Sequence, residues 1–352
     1  AKKTDGKKTL NIKGIPKLID ANWAGGTKSP KCTLILCEGD SAKAGIVSGL
    51  SKADRNIYGV FPLKGKLMNV LDMSQLRINN NTEITNIKKI LGLETKQKYK
   101  TKEEMIKKLR YGKVLFMTDQ DLDGSHIKGL CINLFNSQWN DLMKFDNFMG
   151  FMNTPIIKAS KGKVVKNFYY EKEYEDWKMN ISNISKWKIK YYKGLGTSTS
   201  DEAKEYFGNL DKHLIKFNWD NKADKSIILA FSKKQVDNRK KWLAEYDRDQ
   251  ILDITTGSIT ITDFIHKELK HFSNDDNIRS IPHLLDGLKP SQRKILYTLL
   301  SSSNNNELKV SQLAGLVSQK SAYHHGENSL VSTIISMAQD FVGSNNLHHT
   351  IY

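Results

Sequence analysis

At 352 residues, with 39% hydrophobic and 26% charged side chains, the chain has the composition of a globular protein of two or three domains, each able to bury its own core. Lys and Arg number 55 against 38 Asp and Glu, and the formal net charge of +17 favours a polyanionic partner, most simply nucleic acid. The cysteines Cys32, Cys37 and Cys131 form no CxxC pair, which argues against a disulfide framework or zinc site and for a reducing intracellular setting; no apolar run approaches the roughly 20 residues of a membrane span, so no membrane association is expected.

Residues 1–28 are basic and rich in Gly and Lys, and read as a connector. Ala1-Lys2-Lys3-Thr4 is not a signal peptide, and the two ends suggest a piece of a longer polypeptide. Cys32-Thr-Leu-Ile-Leu-Cys37 is a continuous apolar run, as in a strand buried on both faces of a parallel sheet. Glu38-Gly-Asp-Ser-Ala42 and a helical stretch follow it. Residues 80–105, rich in Asn, Lys and Thr, read as an exposed excursion. Lys113-Val-Leu-Phe-Met117 is a second buried strand, Asp119 to Gly124 its loop, and Ile127, Leu130, Cys131, Leu134, Phe135, Trp139 and Leu142 give residues 127–143 helical spacing. Strand, acidic loop and helix, twice over, argue an α/β domain with its site at the carboxyl ends of the strands.

Residues 165–260 mix short strands with the charged run Lys233 to Arg248, which reads as a solvated helix face. Beyond about 258 the pattern is helical. Pro290 opens an amphipathic helix with Ile295, Leu296, Leu299 and Leu300 on one stripe, and two further helices, near 310–317 and 327–342, meet at a tight polar joint. That pair reads either as a helical hairpin or as a helix-turn-helix.

Asp119, Asp121 and Asp123 alternate, and in an extended segment alternate side chains share a face. Three carboxylates so placed repel one another and need a cation; hard oxygen ligands of this kind suit Mg²⁺. An EF-hand loop also begins D-x-D-x-D-G, but its twelfth position here is Leu130, where that loop needs a bidentate Glu, and the preceding segment reads as a strand. A solvated acidic turn remains an alternative. Glu38 ends the other buried strand, so in a parallel sheet it can face the Asp triplet across a metal-sized gap.

A Glu after one strand and a DxD after another resembles the TOPRIM domain of topoisomerases and primases, whose acidic groups hold Mg²⁺ for phosphoryl transfer on a nucleic-acid backbone. Five further stretches resemble the type IIA DNA topoisomerases, in that family's order: Glu38-Gly-Asp-Ser-Ala42, Pro62-Leu-Lys-Gly-Lys66 with Asn69, Tyr192-Lys-Gly-Leu-Gly-Thr197, Asp286-Gly-Leu-Lys-Pro-Ser-Gln-Arg293 and Ala322-Tyr-His-His-Gly-Glu327. The wording of Thr118 to His126 and of Phe341-Val-Gly-Ser-Asn345 is closer to eukaryotic single-chain enzymes, an arrangement some large DNA viruses share, than to gyrase.

The resemblance implies a Rossmann-like TOPRIM sheet at 29–165, an extension and helical connector at 166–257, and a mostly helical winged-helix domain at 258–352, after a connector from an ATPase region. It implies a metal site of Glu38, Asp119, Asp121 and Asp123, with the first three catalytic. DNA contacts would come from Lys64, Lys66, Asn69, Lys193, Lys289, Arg293, His324, His325 and Gln339. The cofactor is expected to be Mg²⁺, with Mn²⁺ or Ca²⁺ as substitutes, and ATP serves the full-length enzyme without binding this stretch. Double-stranded DNA is the expected partner, with a homodimer in the full enzyme. The location would be nuclear, or host cytoplasm or virion if viral. The family's nucleophilic tyrosine follows an arginine beyond the end of this chain; Arg110-Tyr111 is the only Arg-Tyr pair, and Tyr111 reads as structural. This stretch alone is therefore expected to bind DNA and Mg²⁺ without cutting. A TOPRIM nuclease or primase, and a non-catalytic DNA-binding module, are the competing readings. The Ser51 to Asn56 stretch departs from the family pattern but leaves the metal ligands untouched.

Overall fold

The computed structural model describes residues 3–192, 200–208, 210–302, 307–323 and 325–341. It comprises two compact units, Ala1–Phe272 and Ser273–Tyr352.

The first unit is built on strands β1 (Thr33–Glu38), β2 (Tyr58–Leu63), β3 (Lys113–Met117) and β4 (Met149–Met152). A second group of strands is β5 (Ile157–Lys161), β6 (Val164–Phe168) and β7 (Lys188–Tyr191), and β8 (Leu214–Asn218) and β9 (Ser258–Thr260) follow. Among the described residues, the larger sheet has six strands in the order β2-β1-β3-β4-β8-β9. Its first four strands are parallel, and β8 runs antiparallel to β4.

The apolar runs of β1 and β3 supply side chains to both faces. Leu34, Leu36, Val114 and Phe116 pack with the long helix Leu122–Met143, whereas Ile35, Cys37, Leu115 and Met117 pack with helix Gly39–Gly49. Each such side chain contributes about 1.5–3 kcal/mol on burial, which fixes the strand register against slippage. β5, β6 and β7 form a smaller antiparallel sheet around Ile157, Ala159, Phe168 and Tyr174.

One sequence expectation fails in this unit. Residues 80–105 are not an exposed excursion: helix Thr82–Leu91 runs through them, capped by Asn81 and ended by Gly92, with Ile84, Ile87, Ile90, Leu91 and Leu93 all fully buried. Thr85, Asn86 and Lys89 are half-buried and mask the stripe, and Lys88 is buried with it. The basic N-terminal segment is also packed. Arg110, 0% exposed, donates to the carbonyls of Thr9, Leu10 and Ile90 and to Asp20 Oδ2. Lys88 pairs with Asp5 at 2.9 Å, and Ile19 bridges to Val60 of β2. Tyr111 is buried, as expected of a structural residue; its hydroxyl donates to Asp20 and accepts from Ala21 N–H. The run from Lys233 is solvated along helix Val236–Ala244 except at Trp242.

In the second unit, helices Pro290–Leu300, Val310–Ser321 and Glu327–Ala338 enclose Ile295, Leu313, Ala314, Val317, Leu330, Ile334 and Met337. Helix Val310–Ser321 ends at Ala322, in the left-handed conformation at φ 48°. Leu300, expected on the buried stripe, is 85% exposed, and Thr298 is buried in its place because its hydroxyl donates to Lys294 O. The first unit extends past the break expected after residue 257, because β9 pairs in parallel with β8.

Candidate functional site

β1 and β3 lie side by side, with Cys37 opposite Met117 as the last pair in register. Glu38 and Asp119 therefore emerge at the same sheet edge. The chain leaves β1 for β2 on one side and leaves β3 for β4 on the other, and the connecting helices pack on opposite faces. This is the switch point at which open α/β sheets form a crevice.

Asp119 N–H donates to Glu38 Oε2 over 3.5 Å. Burial, and then the charges of Asp119, Asp121 and Asp123, push the Glu38 carboxyl up to about 7. The four acidic groups thus act on one another electrostatically across two loops separated by about 80 residues of sequence.

The Asp triplet is not an extended segment with one common face. Asp121 is the N-cap of Leu122–Met143, its Oδ1 accepting from Gly124 N–H at 2.7 Å, and Asp123 already lies in the first helical turn. Gly124 is required by close approach: a Cβ there would sit 2.0 Å from the Asp119 carbonyl oxygen. The loop is thereby pulled tight against the helix start. Asp123 turns toward Lys66, whose Nζ lies 2.7 Å from its Oδ1.

Among the described residues, no group of three or more His, Cys, Asp or Glu side chains closes around a single point. Mg²⁺ does not need such a cage, because it takes one or two protein carboxylates and keeps several waters. The donor chemistry fits a hydrated ion of this kind: all-oxygen, negatively charged, and with Glu38 pushed toward protonation by burial and by its neighbouring carboxylates. Glu38, Asp119 and the free oxygen of the capping Asp121 are its candidate ligands, with Asp123 engaged by Lys66.

Cations flank this edge. Lys64 and Lys66 are exposed on either side of Gly65, whose φ of +102° suits glycine, and the Lys66 ammonium turns to Asp123. Asn69, expected to contact DNA, is engaged inside the protein: its amide donates to Phe231 O and its oxygen accepts from Leu71 N–H and Asn133. Lys17, paired with Asp40 at 2.5 Å, and Lys43 add positive charge beside the Glu38 loop, and the sequence reading did not single them out as site residues.

In the second unit Lys289 and Arg293 are exposed, with Arg293 held by both oxygens of Asp286. His325 is exposed, edge-on to Tyr323, just before helix Glu327–Ala338, and Gln339 caps that helix's end. Lys193, His324, the rest of the stretch 193–197, and 342–345 lie outside the described residues.

Comparison with known proteins gives a consistent assignment. Residues 33–149 match the Toprim domain, 152–277 the C-terminal associated domain of TOPRIM, and 279–350 the A-subunit family of DNA gyrase/topoisomerase IV. The chain is 53% identical over 360 residues to human DNA topoisomerase 2-alpha, covering 99% of this chain and 23% of that protein. It is 52% identical to DNA topoisomerase 2 of Drosophila melanogaster, over 98% of this chain and 25% of that protein. To the mitochondrial DNA topoisomerase 2 of Dictyostelium discoideum it is 54% identical, over 97% and 27%. It thus spans about a quarter of the length of the curated relatives it matches. The crystal structure of the Plasmodium falciparum topoisomerase II DNA-binding, cleavage and re-ligation domain superposes with a TM-score of 0.84 at 50% identity, covering 96% of this chain and 46% of that one. In sequence and in fold alike, the chain belongs to the type IIA DNA topoisomerases, of the eukaryotic kind, and spans their Toprim-bearing segment.

Proposed function

We propose that this chain supplies the metal-binding half of a DNA cleavage and religation centre, in an ATP-dependent enzyme that cuts both strands of one duplex and passes another through. The observation that carries the reading is the convergence of Glu38 with Asp119, Asp121 and Asp123 at the carboxyl ends of adjacent parallel strands, where burial first and these charges second raise the Glu38 carboxyl to about 7. Mg²⁺ held there, by Glu38, Asp119 and Asp121, would polarise a phosphate oxygen and offset charge developing on a leaving sugar oxygen. Mn²⁺ or Ca²⁺ could take the same oxygen ligands.

The chain's own residues would do the rest of the positioning. Lys64 and Lys66 present cations to the sugar–phosphate backbone, and Lys66 also fixes Asp123. Lys289, Arg293 and His325 offer further donors in the second unit, with Lys193, His324 and Gln339 added by resemblance. Asn69 serves better as an internal clamp than as a DNA contact, since its amide groups are engaged. The buried Tyr111 belongs to the only Arg-Tyr pair, so the phosphotyrosyl nucleophile is supplied from outside this stretch.

We further assign residues 1–28 to the connector from an ATPase region, 29–165 to the TOPRIM domain proper and the stretch beginning at 166 to its extension, which runs past the expected end at 257 as far as Phe272, with a winged-helix region after it. A homodimer acting in the nucleus is what the family resemblance implies, although the Dictyostelium discoideum relative is a mitochondrial one.

The test compares this chain with one carrying the following tyrosine-containing segment. The longer chain is expected to cut supercoiled plasmid in both strands with Mg²⁺, and Asp121→Asn to abolish that cutting; this chain alone binds DNA and does not cut. Cutting that survives Asp121→Asn removes that residue from the site.

A further inference from the structure

A second polar layer lies behind the carboxylate edge. Ser125 and Lys128, on the first two turns of Leu122–Met143, are each 2% exposed. Both meet Glu268, which comes from a distant π-helical turn, Phe264–Leu269. Ser125 Oγ donates to Glu268 Oε1 at 2.6 Å, and Lys128 Nζ lies 3.7 Å from the same oxygen. The Lys128 ammonium is otherwise enclosed by aromatic rings, 4.4 Å from the Phe151 centroid and 5.8 Å from that of Phe264. Burial lowers the Lys128 pKa, and Glu268 and Asp121 oppose that shift.

The contacts continue along the same segment. Phe272 stacks on His126 at 4.0 Å, and Lys66 Nζ sits 5.1 Å from the Phe272 ring while holding Asp123. These contacts of Glu268 and Phe272 thus fall on the first two turns after Asp121, or on the lysine that pairs with Asp123. Ser125 N–H also donates to the Asp121 carbonyl at 3.1 Å, so a pull on Ser125 is felt at the capping carboxylate.

A buried ion pair is a poor source of stability, since well-packed apolar groups of similar volume serve as well or better. Its use is to fix one geometry. A π-turn, which inserts an extra residue into a helix, is frequent where function demands a particular side-chain placement. We propose that Glu268, oriented by buried Lys128, is a positioning residue that locks the first turn of the long helix, and with it Asp121, for divalent-ion binding at the Glu38–Asp119–Asp121 edge. The proposal rests on the metal reading given above.

The test is calorimetric titration of Mg²⁺ into the chain above pH 7, where Glu38 is ionised, alongside thermal melts in the absence of metal. The variants are the apolar pair Lys128→Met with Glu268→Leu, the single change Ser125→Ala, and Asp119→Asn as a ligand control. In the double variant, with its melting temperature kept, Mg²⁺ affinity is expected to fall about ten-fold or more, the usual consequence of losing an outer-shell partner. Ser125→Ala, which leaves the ion pair intact, is expected to weaken binding less but measurably, and it decides the matter if the double variant does not fold. A purely structural role would lower the melting temperature and leave the affinity of the folded protein alone; parent-like affinity in the folded variants overturns the proposal. If Asp119→Asn abolishes binding in that case, the metal reading stands without Glu268. If Asp119→Asn also binds like the parent, the metal reading falls and the positioning role with it.

Discussion

Two clusters of charge in the first unit are built on opposite rules. Around Arg110 every charge is answered: the buried guanidinium meets three carbonyls and Asp20, and Tyr111 donates to the same carboxylate. Around Glu38 the balance is left open. Burial first, and then the charges of three neighbouring carboxylates, disfavour its ionised form, and the long bond from Asp119 N–H opposes them only weakly. Charge satisfied from within holds the N-terminal segment onto the domain. Carboxylates gathered at a partly buried edge are the feature on which the proposed ion site rests.

The comparison breaks most readily at Arg110. Arg110→Met leaves Asp20 and several carbonyls without their partner, and should destabilise the chain by about 3–5 kcal/mol, the range for breaking a buried pair. Urea unfolding measures it, and a loss near zero would show that the segment is merely draped on the sheet. Ile295→Ala, in the second unit, should cost about 2–5 kcal/mol by leaving a cavity, while Leu300→Ala on the same helix, 85% exposed, should change little.

Glu38→Gln should have the opposite sign. Without metal it removes a repelled charge and should stabilise the chain by about 1 kcal/mol, as relief of a site held under functional strain commonly does. The pH dependence follows from the same residue. Its folded-state pKa of about 7 lies above the unperturbed 4.5, so the folded chain binds that proton more tightly. The stability this gives is complete below pH 4.5 and is lost as pH rises through 7. Metal-free melts should therefore fall across that window in the parent and stay flat there in Glu38→Gln as far as this group is concerned. Smallest of all is the exposed Lys17–Asp40 pair, where Lys17→Met should leave the melting temperature unchanged within error.

Much of this arrangement was legible in the sequence. The strands at Cys32–Cys37 and Lys113–Met117 announce themselves as unbroken apolar runs, because both faces are buried, and the acidic loops follow directly from their ends. What failed did so for definable reasons. The buried isoleucines of helix Thr82–Leu91 are interleaved with Asn, Lys and Thr, so bulk polarity hid a regular stripe. The even spacing of Asp119, Asp121 and Asp123 suggested an extended loop with one common face, but Gly124 and the capping bond start a helix in their midst. Asn69 carries a side chain suited to DNA, and nothing local reveals that Phe231 and Asn133 engage it. The Lys128–Glu268 pair joins two segments far apart in sequence, and a lone lysine among apolar helix positions gives no hint of its partner. The three-residue β9 is too short to read as a strand on its own, and its pairing with β8 is why the first unit extends beyond the expected boundary.

The open charge at Glu38 can be read directly by counting protons during metal binding. Calorimetric titration of Mg²⁺ just below pH 7, in two buffers of different ionisation enthalpy, reports how many protons leave as the ion enters. The expected result is release of a substantial fraction of one proton in the parent, falling away well above pH 7 and absent in Glu38→Gln together with most of the binding. Mg²⁺ binding that releases no proton, or that persists undiminished in Glu38→Gln, would contradict a divalent site at this sheet edge.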